Sequence, residues 1–334
     1  MARLFIDGFE TGNYDCWDIN SAAASPSTSP VRSGSGSYSA NPQGAYQGYI
    51  GKNISPSNTS ALYFKFYYYL PGSGLNGDVI CWVANGSGAQ LALCYNSNRT
   101  LSVKFTDKNG TTIATGTKTL TASTWYLVEG YFVINAATGV IQTKINGIVD
   151  INFSGNTHNQ SADTITQFYL GTTNGDAYNP HPVYDDLVLD DAGWIGDGAI
   201  LPLVPDGAGS MTQLTPSSGA NYTCINSIPT SDANNVSTNT PGNEDTYVKA
   251  AISTSVVVNC VQMFARAEGQ GNPACGGLEH VLRIGGTDYV GSRLAVPTGG
   301  FGNLLTLFKT SPATGVAFTP TEVNGMEIGA RLVA

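Results

Sequence analysis

The chain has 334 residues, enough for two domains with full cores. Only 12% of its residues are charged, against 41% hydrophobic, and the net charge is −9. Lys and Arg are sparse and scattered, which excludes a duplex-binding footprint and disfavours anionic membranes and polyanionic substrates.

The pattern is that of strands from the start. Residues 4–9 read as a first strand carrying Phe5 and Phe9, and a Ser/Gly/Ala/Pro stretch over 21–37 reads as surface loop. Residues 61–70 alternate: Leu62, Phe64, Phe66, Tyr68 and Leu70 point one way, and Tyr63, Lys65, Tyr67 and Tyr69 the other. Further strands are predicted at 78–84, 89–95, 100–106 and 111–119, the last two joined by Asn109-Gly110. An aromatic strand follows at 125–134, then strands at 140–145 and 148–153 around Asn146-Gly147, the strongest hairpin signal in the chain. Segments 168–171 and 185–189 complete roughly eleven or twelve strands, at the spacing of a β-sandwich. No convincing amphipathic helix is found.

A Gly- and Pro-rich segment over 193–210 reads as a packed crossing, because Ile200, Leu201, Leu203 and Val204 need cover. Strands return at 246–252, 256–266, 280–284, 288–290, 304–309 and 323–333, with Gly285-Gly286 in a hairpin. The fold class is therefore all-β, with a domain over 1–195, a connector over about 194–222, and a smaller β-sandwich within 196–334.

The six Cys (Cys16, Cys81, Cys94, Cys224, Cys260, Cys275) include no C-x-x-C, and only three His exist, which speaks against zinc. No signal-peptide pattern opens the sequence, so the Cys are expected to be reduced core fillers. No apolar run is long enough for a membrane helix.

Several of these features together resemble one superfamily. They are Phe5-Ile-Asp-Gly-Phe-Glu10 with Trp17, the strand at 61–70, Thr124-Trp-Tyr-Leu-Val128, Ile145-Asn-Gly147 and Tyr184-Asp-Asp-Leu-Val188. In this order they resemble the concanavalin A-like lectin/glucanase, or laminin-G-like, jelly roll over about residues 1–195. Trp194-Ile-Gly-Asp-Gly, Pro205-Asp-Gly, Thr215–Tyr222, Glu244–Val248, Val261–Ala267 and Arg283–Tyr289 are similar to the C-terminal half of structural proteins of tailed bacteriophages. The resemblance implies a virion component, tail, fibre or surface decoration, made in the host cytoplasm without a secretion signal. It would contact sister subunits and other virion proteins, and in some cases a host-surface glycan.

Glycan-cleaving members of that superfamily carry Glu-x-Asp-x-x-Glu on one strand, and a retaining mechanism needs carboxyls about 5–5.5 Å apart. This chain lacks the motif, so no catalysis is expected. The densest acidic cluster holds Asp185, Asp186, Asp190 and Asp191. Asp185 and Asp186 with Glu10 read as a structural Ca²⁺ site, or as strand-end carboxylates facing water. The remaining candidates are tyrosines, since sugar C–H faces stack on aromatic rings and amides fix hydroxyls. Tyr46 and Tyr49, Tyr95 with Asn96, and Tyr178 with Asn179 and His181 are the carbohydrate candidates. Tyr63, Tyr67 and Tyr69 read as an interface or a second-layer packing face.

The expectation is thus a non-enzymatic, homo-oligomeric virion structural protein that binds neither nucleic acid nor membrane, with no cofactor beyond a structural calcium. The rivals are a free lectin-like carbohydrate-binding protein and a polysaccharide depolymerase.

Overall fold

A computed structural model describes residues 3–22, 24–32, 36–42, 48–54, 60–70, 72, 78–173, 182–269 and 276–334. Over these residues the chain is all-β apart from two short helices, Asn221–Cys224 and Pro320–Gly325. It divides into two compact units, Met1–Leu201 and Pro202–Ala334, so the Gly-rich crossing over 193–210 is shared equally between them.

The first unit contains β1 (Arg3–Asp7), β2 (Ile19–Asn20), β3 (Gly48–Asn53), β4 (Ala61–Tyr69), β5 (Asp78–Asn85), β6 (Gly88–Tyr95) and β7 (Leu101–Phe105). It continues with β8 (Thr112–Thr115), β9 (Trp125–Val133), β10 (Gly139–Ile145), β11 (Ile148–Gly155), β12 (Gln167–Thr172) and β13 (Val183–Asp190). Two antiparallel sheets result, ordered β1-β13-β4-β9-β10-β11 and β2-β3-β12-β5-β6-β7-β8. Their inner faces meet in an aromatic core, as two half-apolar sheets must. Phe64 on β4 lies 5.2 Å from Phe168 on β12, and the buried Tyr184 hydroxyl on β13 donates to the Ile80 carbonyl on β5 at 2.9 Å.

The alternation read in residues 61–70 is realised: Leu62, Phe64, Phe66, Tyr68 and Leu70 are all buried. Asn146 and Gly147 both take positive φ, 51° and 79°, which is the two-residue turn that matches the twist of β10 and β11.

β1 pairs antiparallel with β13, Phe5 opposite Leu189 and Asp7 opposite Leu187. Asp7 then organises the turn after β1. Its carboxylate accepts from the Phe9 amide and from the Trp17 indole, both at 2.7 Å. Trp17 in turn stands edge-on to Phe5 and stacked over Phe9 at 6.1 Å. Burial pushes the Asp7 carboxyl up to about 6, even though both donors favour its charged form.

The second unit holds a six-stranded sheet and two two-stranded ribbons. Its core lies where the ribbon of Val261–Ala267 with Gly302–Phe308 and the helix Pro320–Gly325 cover the sheet, through Met263, Leu282, Phe308, Val323 and Met326. That helix was not expected. It starts at Thr319, whose side chain accepts from the Glu322 amide at 3.1 Å, with Pro320 in the first turn. The Val256–Cys260 stretch, read as the start of a strand, precedes the strand instead.

Cys16, Cys81, Cys94 and Cys224 are buried, Cys260 is half-buried, and no disulfide joins any of these five. Cys275 lies outside the described residues. Among the described residues no helix is long and apolar enough to cross a membrane.

Candidate functional site

The seven-stranded sheet has two faces. Ile50, Phe168, Leu170, Val83, Leu91 and Leu93 point into the sandwich and are fully buried. Strand alternation sends the intervening residues to the outer face. There β3 contributes Tyr49, Gly51 and Asn53, β12 contributes Gln167 and Tyr169, and β5 contributes Trp82 and Ala84. The register places Tyr169 directly opposite Trp82 on one side and opposite Gly51 on the other.

This juxtaposition builds an aromatic wall. The Trp82 and Tyr169 rings stack at 4.5 Å and 2°, and Tyr49 stands edge-on to both, at 5.1 and 5.8 Å. Stacked rings of this kind hold one another in place. Trp82 and Tyr169 are 6% and 9% exposed and Tyr49 is half-buried, so Tyr49 is the most accessible of the three rings. Beside it opens a groove of about 320 Å³, whose lining includes Ala84, Asn85 and Gln167. That volume suits a small ligand.

The supports of the groove are polar. The Asn85 amide donates to the Ala162 carbonyl at 3.1 Å and accepts from the Ser87 amide at 2.9 Å. Buried Gln90 donates to the same carbonyl at 2.7 Å and accepts from the Asn159 and Gln160 amides, both at 3.1 Å. The Gln167 amide donates to Asn53 at 3.0 Å. Burial, with Tyr49 beside it, pushes the Tyr169 hydroxyl above the usual tyrosine range, so it stays a neutral donor and acceptor at ordinary pH.

Gly51 makes the wall possible. A Cβ there would lie 2.4 Å from Cε1 of Tyr169. Gly51→Ala is therefore expected to tilt the Tyr169 ring off Trp82 and to cost about 1–3 kcal/mol as an overpacking change. Near-UV circular dichroism and a melting curve check it; an unchanged aromatic signal would mean the ring does not rest on Gly51.

Of the carbohydrate candidates read from the sequence, Tyr49 is part of this groove. Tyr46, Tyr178, Asn179 and His181 lie outside the described residues. Tyr95 is a correction: it follows outward Cys94 on β6, so alternation turns it inward, where it is 2% exposed and offers no ring face to a sugar. The Asn96 amide is engaged in its own turn, donating to Thr100 at 3.1 Å and accepting from Ser102 at 2.9 Å. Trp82 and Tyr169 were not singled out in the sequence. Their strands are nearly continuous apolar runs with no alternation to show a face, and nothing local says that the two strands are neighbours.

The tyrosines of β4 make contacts within the first unit. The segment from Gly193 to Leu201 crosses the outer face of their sheet. Tyr63 stacks on Tyr131 at 4.1 Å with Trp194 edge-on at 5.5 Å. Tyr67 is buried, donates to Asp197 at 2.5 Å and lies under the Arg32 guanidinium at 3.6 Å. Tyr69 packs beside Trp125 at 5.2 Å. The same segment covers two charges: the Lys65 ammonium donates to the Gly198 carbonyl at 2.5 Å, and Glu129, opposite Lys65 across the sheet, accepts from the Gly196 amide at 2.8 Å.

Asp185, Asp186 and Asp190 are buried and Asp191 is half-buried, which corrects the reading of Asp185 and Asp186 as carboxylates facing water. It does not fit a cation either. Asp185 accepts from the Asp186 and Arg32 amides at 2.8 and 3.3 Å, and Asp186 accepts from the Arg32 guanidinium and the Ile200 amide, both at 2.6 Å. Glu10 is turned to the Ser37 and Tyr38 amides at 2.9 Å. The oxygens a calcium ion would need thus face N–H donors. Among the described residues no three His, Cys, Asp or Glu side chains converge on a metal position.

No family model matches the chain, and no curated protein matches it. Solved structures do. Alginate lyase Aly36B is 16% identical with a TM-score of 0.37, over 49% of this chain and 84% of the lyase. A mutant of Trypanosoma rangeli sialidase displaying trans-sialidase activity is 12% identical with a TM-score of 0.35, over 50% of this chain and 27% of the sialidase. The Trypanosoma rangeli sialidase in complex with sialic acid is 13% identical with a TM-score of 0.34, over 46% of this chain and 25% of the sialidase. At these values the likeness is one of β-architecture and transfers no activity or residue role. The expectation of a non-enzymatic phage virion protein finds no support here and is not kept: the similar structures are an alginate lyase and sialidases, not phage structural proteins.

Proposed function

We propose that the first unit binds carbohydrate in the groove beside Trp82 and Tyr169. The observation that carries this reading is the preformed aromatic wall, with Tyr49 completing it and amides in the groove lining. A sugar ring has apolar C–H faces and a rim of hydroxyls, and this combination answers both. The wall is already ordered by its own stacking, so a ligand need not order it. The resemblance of residues 1–195 to lectin-like jelly rolls agrees with the reading.

A glycan array probed with the full chain tests it. Trp82→Ala is expected to weaken the bound glycan by roughly 30-fold, about 2 kcal/mol, the loss of a buried aromatic anchor. Because Trp82 also packs against Tyr169, the half-buried Tyr49→Ala is the gentler companion and should weaken the same glycan with little change in melting temperature. Binding that survives both substitutions would place the ligand elsewhere on the molecule.

A further inference from the structure

The groove has a charge character of its own. Resting on the carbohydrate reading above, we propose that it takes uncharged glycans and rejects those bearing carboxylate or sulfate groups. The described residues around the groove are aromatic, small or amide-bearing, and none of them is ionic at neutral pH. An anionic sugar seated in the groove would lose water from its charge with no described cation to replace it, by the general rule for unpaired charges.

The neighbouring cations do not supply the missing charge. Lys104 shares this face of the sheet, but it stands on β7, beyond Ala92 of β6 from Trp82. Its ammonium donates to the Lys108 carbonyl at 2.7 Å. Lys52, next to Gly51 on β3, alternates to the opposite face and donates to the Cys16 carbonyl at 2.8 Å. At longer range the net charge of −9 opposes the approach of any polyanion. An uncharged sugar meets none of these costs, since Gln167 and the tyrosine hydroxyls can exchange hydrogen bonds with neutral hydroxyls.

The test is calorimetric titration of the full chain with neutral oligosaccharides of six sugars (β-glucan, α-glucan, xylan and mannan series). Oligoalginate of the same length and sialyllactose serve as the anionic probes, at low and physiological salt. At least one neutral series should bind at least 10-fold more tightly than either anionic probe, and its binding should fall at least 10-fold in Trp82→Ala and in Tyr49→Ala. Anionic probes binding as tightly as neutral ones, and losing affinity in the same variants, would overturn the charge selectivity while leaving the groove a glycan site. No binding of any glycan at millimolar concentration would remove the carbohydrate reading itself, and the selectivity with it. Neutral binding unchanged in both variants would overturn the assignment to this groove.

Discussion

Arg3→Ala is expected to destabilise the first unit by about 3–5 kcal/mol, the usual cost of stranding one member of a buried ion pair. The Arg3 guanidinium meets Asp190 at 2.6 Å, and the two side chains are 3% and 0% exposed. The pair joins the first strand to the last, residue opposite residue. The second Asp190 oxygen is engaged too, accepting from the Ala192 and Gly193 amides at 2.7 and 3.1 Å. Without Arg3, the carboxylate keeps those amides but loses its counter-charge in a place water does not reach. All four Trp (Trp17, Trp82, Trp125 and Trp194) lie in this unit, so tryptophan fluorescence follows its unfolding alone. A denaturant titration read that way should show the loss. The double variant Arg3→Met/Asp190→Leu should recover most of it, because an apolar pair of similar volume removes the stranded charge. A single variant as stable as the wild type would mean that β1 is not held by this pair.

The second large effect is that the two units should respond to pH in opposite directions. Burial, and Asp186 beside it, push the Asp185 carboxyl up to about 8, and burial holds Asp7 at about 6. Such groups keep their protons in the folded chain while the unfolded chain has released them, so the folded state binds more protons between about pH 4 and the raised value. The first unit should therefore lose stability as pH rises from 4 to 8, by up to about 1.4 kcal/mol per pH unit for each group within its window. Asp197, held low by the Tyr67 hydroxyl, works the other way only below about pH 4.

In the second unit, burial lowers His280 from 6.5 to about 4. The unfolded chain binds that proton first, so the contribution of this histidine is full above about pH 6.5 and is lost as pH falls towards 4. Calorimetry alongside tryptophan fluorescence, at pH 5 and pH 8, separates the two units. Asp185→Asn should flatten the fluorescence-detected dependence between those values. His280→Gln should flatten that of the second unit between pH 4 and 6.5. A dependence that survives each substitution unchanged would show that other groups set it.

Much of the sandwich was legible in the sequence because its signals are local. Alternation over 61–70 named the inward residues of β4, and Asn146-Gly147 named a turn that needs positive φ. Thr319-Pro320-Thr-Glu322 also carried a local helix-start signal, but the helix spans only Pro320–Gly325, too short for any hydrophobic period to emerge.

What the amino-acid order determined by itself is the all-β character and the inward face of its clearest strands, since side-chain period and turn chemistry act over a few residues. Only the tertiary structure decided what happens on the outer faces. There Gly193–Leu201 folds over one sheet and buries Lys65, Tyr67 and Glu129, while on the other sheet strand order brings Tyr49, Trp82 and Tyr169 to one groove. The pairing of β12 with both β3 and β5, and the crossing of a distant segment, depend on where the whole chain runs. No local period encodes that, so outward tyrosines that look alike in sequence lie under a crossing segment in one place and beside a groove in another.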